Sequence, residues 1–386
     1  MDMHSHLKTA LRVIMIVTVF LLLFLFRVKN DMIDFQVNYE AGKRLRLAET
    51  PYRFEDGHYM FKYLPSSAFL YLPLSYLPLD LAKGIWYFFI IFCSLALIRL
   101  SFLLVPSTTK KSKWLMVIPP LILIKYFLRE IDLGQINTLV TLILLIMVWY
   151  LDRQTNERSH TEDIYTGLLW GLAVALKPYA LIFLPYFLLK GKWRTLLSGM
   201  CTLGIAILIP SLYYGLKGNF IVLNEWISTL YQSTPTLLTT WDNISIIAFF
   251  NKWTGDPKLS LALTVIFLSV LALLVLFLMI LGKRVEKATV LECSVLLILI
   301  PLASPLGWDY NLLMSILGIM IVVRYFSFYT KIWRIFLVCN FLVIFFSVYD
   351  IMGKDLYSTF MSLSLTTLNF LVLVGYLAYL RFKKIC

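Results

Sequence analysis

Long apolar runs separated by short polar joints recur along the whole of this chain. A bilayer core takes about 20 helical residues. Only helices or closed barrels satisfy their backbone groups there, so such runs predict spanning helices. The pattern predicts them at 9–26, 82–105, 114–128, 135–151, 163–176, 178–190, 194–214, 259–282, 288–303, 307–325, 331–349 and 364–381. The apolar stretch 63–79, YLPSSAFLYLPLSYLPL, carries Pro65, Pro73 and Pro78. Proline blocks regular helix bonding, so this stretch reads as a short or re-entrant segment. Two long polar segments remain, 27–62 and 215–258, with short turns at 129–134, around Lys177, at 304–309 and at 350–360. The expected fold is an all-α polytopic membrane protein of about twelve transmembrane helices in one integral domain, 1–386. A first large loop with juxtamembrane helices is expected over 27–81 and a second over 215–258.

Composition agrees with that pattern. Of 386 residues, 60% are hydrophobic and 15% charged, with mean hydropathy +0.80, whereas soluble domains are about half apolar and a quarter charged. Residues 9–26 read as a true first span, being too long for a leader's apolar region and lacking a small-residue cleavage site.

Charge supplies the expected orientation. The segments 1–12, 106–113, 152–163, 190–194, 283–292, 324–334 and 381–386 hold 19 of the 35 Lys+Arg and 7 of the 22 acids. By the positive-inside rule these face the cytoplasm, with both termini, in an inner or plasma membrane. Counting 63–79 as a further span would turn Lys110, Lys111 and Lys113 outward. The net +13 does not point to nucleic acid, because no basic cluster with interleaved aromatics stands apart from the membrane. The five cysteines and four histidines are scattered, with no metal spacing. Neither a metal nor a cofactor is expected.

Candidate chemistry therefore gathers on the extracytoplasmic side. Asp34 lies where the first span meets water; it reads as a general base or as a helix N-cap, with Asp31 a rival for either role. Lys43, Arg44 and Arg46 follow on an interfacial helix, suited to lipid headgroups or to a donor phosphate. The turn YFLREIDLGQIN, 126–137, offers Arg129, Glu130, Asp132, Gln135 and Asn137. Gln135 and Asn137 open a span, where an amide facing lipid is costly, so they are expected to face inward. Lys177 interrupts two apolar half-runs before Pro178, either snorkelling to the interface or neutralising a phosphate. Trp226, Tyr231, Trp241, Asp242, Asn243 and Ser245 in the late loop, and Trp308, Asp309 and Tyr310 in SPLGWDYN, complete the set.

Several of these residues form an ordered series. Asp34, Phe35 and Val37 run into Tyr39, Ala41 and Gly42; Pro51–Tyr52, Tyr63–Leu64–Pro65, Gly134–Gln135–x–Asn137, Leu176–Lys177–Pro178, Asn243–x–Ser245 and Ser304–Pro305–x–x–Trp308 follow. In order and spacing, over roughly residues 10 to 330, the chain resembles glycosyltransferase family 87, the polyprenyl-phosphate-mannose-dependent mannosyltransferase type within the GT-C class. Two departures stand out: Leu64 replaces the first proline of a Tyr-Pro-Pro motif, and Tyr310 stands where the family often has histidine.

The resemblance implies a GT-C fold and an inverting transfer on the extracytoplasmic face, with Asp34 as base. The donor would be a polyprenyl-phosphate sugar, mannose first, and the acceptor a glycolipid or glycan hydroxyl. Lys177, Arg129 or Arg44 would neutralise the departing phosphate in place of a metal. Tyr52, Tyr63, Gln135, Asn137, Asn243, Trp308 and Tyr310 would complete substrate binding. A transporter or flippase of lipid-linked saccharides is the rival; it predicts paired repeats, ionisable residues near mid-bilayer and charged sites on both faces, whereas here acids and loop length concentrate on one face. A scaffold would give no reason for acid, cations and amides to share one side.

Overall fold

The computed structural model describes residue 15 and residues 18–106, 112–153, 160–280 and 288–384. The expected cytoplasmic segment 1–12, residues 9–14, 16 and 17 of the first expected span, Lys110 and Lys111, and residues 154–159 and 281–287 lie outside the described residues. The rest is helical, and the described residues contain no strand, only an isolated antiparallel bridge between Asn243 and Trp308.

Helix α1 covers 18–26 and α2 Ile33–Arg46. Between α2 and α3 (Leu79–Leu104), the proline-marked stretch forms 3-10 turns at Pro65–Leu70 and Leu74–Tyr76 rather than a continuous helix. Then come α4 (Ile118–Ile122), α5 (Ile124–Leu133), α6 (Asn137–Arg153) and α7 (His160–Leu176). A 3-10 segment, Pro178–Phe183, leads into α8 (Leu184–Leu189) and α9 (Trp193–Leu208). Helices α10 (Ser211–Leu238), α11 (Ile246–Thr254), α12 (Pro257–Ile280) and α13 (Ala288–Ala303) follow. A 3-10 segment, Asp309–Ser315, precedes α14 (Ile316–Arg324), α15 (Lys331–Phe346), α16 (Tyr349–Ser362) and α17 (Leu365–Phe382).

Helices α3, α12 and α17 are each long and apolar enough to cross a membrane. Two further pairs qualify only together, α9 with α10, bent by 91°, and α15 with α16, bent by 104°. The expected helices at 114–128, 178–190 and 307–325 are present in pieces. Pro119–Pro120 and Pro185 sit at two of the breaks, where ring and missing N–H forbid a continuous ladder.

The segment 215–258 is largely helical, α10 and α11 taking up most of it, and one expectation is corrected: the expected turn at 350–360 lies within α16. In α10 the buried positions Asn219, Val222, Thr229, Ser233 and Leu237 share one face, and its exposed positions include both apolar residues, such as Phe220 and Ile227, and polar ones, such as Asn224 and Gln232.

Helix α13 is buried on all sides from Thr289 to Leu302 and forms the axis of the core. One acid on it, Glu292, meets Lys190 at 2.9 Å and Arg381 at 3.3 Å, joining three distant parts of the chain. A buried triad of this kind adds little net stability but penalises any register that separates its members.

Helices α7 and α9 pack at glycine contacts. A Cβ at Gly171 would lie 2.5 Å from the Gly199 carbonyl oxygen and 2.7 Å from Thr202 Cβ. In lipid, small residues allow the backbone approach that carries helix association. Gly171→Leu is therefore expected to separate the pair. The check is melting of detergent-solubilised protein, with Gly204→Leu, where a Cβ meets open space, leaving the midpoint unchanged.

Candidate active site

A cavity of about 740 Å³ opens among α2, the 59–63 segment, the turn after α5, the Lys177 hairpin, α10 and the 303–311 segment. Three cations, Lys62, Arg129 and Lys177, and two carboxylates, Asp34 and Asp242, are among its lining residues. Its walls also carry Leu181, Ile182, Leu230, Leu237 and Ile300, so one cavity combines charged and apolar surface.

Asp34 reaches the cavity because of how α2 begins. The helix starts at Ile33, and Met32, at the cap position with φ 27°, donates its N–H to the Asp132 carbonyl at 2.8 Å. That bond ties α2 to the turn after α5. The N-cap alternative for Asp34 is thereby corrected: the acid sits in the first turn, where the helix dipole favours negative charge. Asp31, the other candidate acid, is exposed and does not line the cavity. Beneath Asp34, the rings of Phe35, Tyr71 and Trp86 pack together, with Phe35 5.6 Å and Tyr71 4.8 Å from Trp86.

Gly134 brings the second element in. It closes α5 with φ 69°, a left-handed conformation that glycine adopts without cost. A Cβ there would lie 2.6 Å from Phe35 Cβ. Trp86 Nε1 donates to its carbonyl at 2.9 Å. The next residue, Gln135, is held against Asp34, its Nε2 donating to Asp34 Oδ2 at 2.6 Å. The other end of that carboxamide accepts from Lys177 Nζ at 3.4 Å. Acid and ammonium are thus joined through a single amide.

Lys177 is only 8% exposed, so it does not snorkel. Its Nζ donates to Tyr63 Oη at 2.9 Å and lies 4.5 Å from the centre of that ring. Tyr310 stands within 3.4 Å of Gln135 Nε2, and Trp308 also lines the cavity. Arg129 lines it too, paired at 3.2 Å with Asp309, which acts here as a partner that orients the guanidinium.

Four expected substrate contacts lie elsewhere. Arg44 forks onto Asp56, with Nη2 to Oδ1 at 2.8 Å; the bond raises the guanidinium's pKa and keeps it out of the cavity lining. Its neighbours are also engaged, Lys43 with Glu40 at 3.6 Å and Arg46 with the Ser75 carbonyl at 2.8 Å. Tyr52 is buried behind the wall, its hydroxyl donating to the Tyr63 carbonyl at 2.5 Å. Asn137 donates to Glu130 Oε2 at 2.9 Å and accepts from Tyr179 at 3.0 Å, bracing the turn from below. Asn243 uses its whole amide on the backbone. It donates to Leu237 and Pro305 and accepts from the N–H of Ser245 and Gly307. The Asn-x-Ser element therefore fastens the end of α10 to the segment that carries Trp308.

Lys62 and Asn38 were not singled out by the sequence. Burial lowers the Lys62 pKa, while the charge of Asp34 works against that shift. Their proximity could not be read from spacing, although Lys62 directly precedes Tyr63. Among the described residues no cluster of His, Cys, Asp and Glu could hold a metal ion.

The model of glycosyltransferase family 87 matches residues 61–305, more than half of the chain. Tyr63, Arg129, Gln135, Lys177 and Asn243 fall inside that match; Asp34, Trp308 and Tyr310 fall outside it. The chain is 27% identical over 249 residues to an alpha-(1->3)-arabinofuranosyltransferase of Corynebacterium glutamicum, covering 59% of this chain and 56% of that protein. It is 30% identical over 161 residues to a polyprenol-phosphate-mannose-dependent alpha-(1-2)-phosphatidylinositol mannoside mannosyltransferase of Mycolicibacterium smegmatis, covering 38% and 34%. The chain thus spans between a third and about half of the length of these relatives. No solved structure matches it.

Proposed function

The chain belongs to glycosyltransferase family 87, and from that premise we propose that it moves a sugar from a polyprenyl-phosphate donor to a hydroxyl of a glycolipid or glycan. Mannose is the first choice and arabinofuranose the second, following the activities that name the two relatives. The reaction takes place on the extracytoplasmic face of the membrane, in a GT-C arrangement of about twelve spans, with the proline-marked 63–79 stretch re-entrant and both termini cytoplasmic.

In the proposed step, the acceptor oxygen attacks the anomeric carbon as its proton passes to Asp34. The bond from that carbon to the phosphate oxygen breaks, its electrons staying on polyprenyl phosphate, and the configuration inverts. Lys177 meets the departing phosphate, with Lys62 and Arg129 around it. Fixed cations in a partly dry cavity stabilise the charge that develops, with no reorganisation at the moment of reaction. The observation that carries the reading is the single amide of Gln135 binding both Asp34 and Lys177, which keeps base and leaving-group cation on one side of a cavity large enough for a sugar.

Proteoliposomes containing the whole chain, polyprenyl-phosphate mannose and glycolipids from cells lacking the protein are expected to yield a glycolipid heavier by one hexose. The same assay with polyprenyl-phosphate arabinose separates the two sugars. Movement of an intact lipid-linked saccharide across the bilayer, with neither donor consumed, would identify a transporter instead.

A further inference from the structure

Two asparagines that the reaction above does not use line the cavity. Asn38 lines it at 1% exposure and Asn311 at 3%. The side-chain oxygens of both are buried without a hydrogen-bond partner among the described residues. For Asn38 the orientation is fixed, because its Nδ2 donates to the Asp34 carbonyl at 2.8 Å, leaving Oδ1 as the open end. Buried acceptors are nearly always paired, so an exception beside a cavity marks a place for a donor, whether an ordered water or a group of the ligand.

The chemistry of that donor can be narrowed. A phosphate group at neutral pH mainly accepts hydrogen bonds, and a prenyl chain neither donates nor accepts. The saccharide hydroxyls are the parts of the substrates that bring O–H groups. Asn38 lies four residues after Asp34 on α2, so both side chains leave the same face, with Cβ atoms about 6 Å apart. A hydroxyl within reach of Asn38 Oδ1 is therefore next to the one that loses its proton to Asp34.

We propose that Asn38 Oδ1 accepts a hydrogen bond from a hydroxyl adjacent to the attacking one, so that the acceptor is a saccharide presenting two neighbouring hydroxyls. This rests on the glycosyltransferase reading. Asn38 is an acceptor-binding residue, and it takes no part in carrying the proton.

Asn38→Leu keeps the side chain's bulk and removes the oxygen. The test uses whole protein in proteoliposomes, with polyprenyl-phosphate mannose as donor and a dilution series of glycolipids from cells lacking the protein as acceptor. The expected result is an acceptor KM raised about tenfold, the loss of one hydrogen bond. Donor KM and kcat should stay within about twofold by the same reasoning, with an unchanged melting midpoint. Asn38→Ser, which restores an oxygen on a shorter arm, should fall between and serves if the leucine variant does not insert. An unchanged acceptor KM in both variants overturns the proposal, as does a parallel fall in kcat, donor KM and melting midpoint. Wild-type vesicles that consume neither polyprenyl-phosphate mannose nor polyprenyl-phosphate arabinose would refute the glycosyltransferase reading and this inference with it.

Discussion

Asp34→Asn is expected to lower sugar transfer by about 10²- to 10⁴-fold, the range over which a positioned general base contributes. Asparagine fits the same space and can still accept from Gln135 Nε2, whose bond to Asp34 Oδ2 is 2.6 Å. The first turn of α2 and the ring cluster beneath it should therefore persist. Protein level and melting midpoint should match the wild type, so that a lost rate reports chemistry alone. Retained turnover in vesicles would remove Asp34 from the reaction.

Lys177→Met should have the next largest effect. Its ammonium is held by Tyr63 Oη at 2.9 Å and by the Gln135 oxygen, neither of which carries a formal charge. Hydrogen bonds to charged groups contribute about 1.5–3 kcal/mol, so kcat/KM for the donor is expected to fall about 10- to 150-fold. Acceptor KM should change little. Lys177→Arg, which restores the charge on a different shape, should recover part of the loss. Unchanged donor dependence in Lys177→Met would leave the phosphate to Lys62 and Arg129.

What the sequence made legible was the pattern that lipid imposes. Helices α3, α6, α7, α12, α13 and α17 lie within a few residues of their expected limits, since their apolar runs have no other use. Asp34, Gln135, Lys177, Tyr63, Trp308 and Tyr310 line one cavity. Helix α10 is not legible from its mixed composition, although Asn219, Val222, Thr229 and Ser233 recur at helical spacing on its inner face. Arg44 and Asn243 looked like substrate contacts, but a cation's partner and an amide's backbone bonds depend on tertiary neighbours such as Asp56 and Gly307. Asn38 was passed over for the opposite reason: what distinguishes it is a missing partner, which spacing does not reveal.

The triad at Glu292 also sets a clock on biogenesis. Arg381 follows Glu292 by 89 residues, and ribosomes add roughly 5–20 residues per second. For about 4 to 18 seconds at that rate, the acid on α13 has one of its two described partners, Lys190, and lacks the other. The triad closes only when α17 docks against α13, so a chain stalled before that point carries the carboxylate with half of its counter-charge missing.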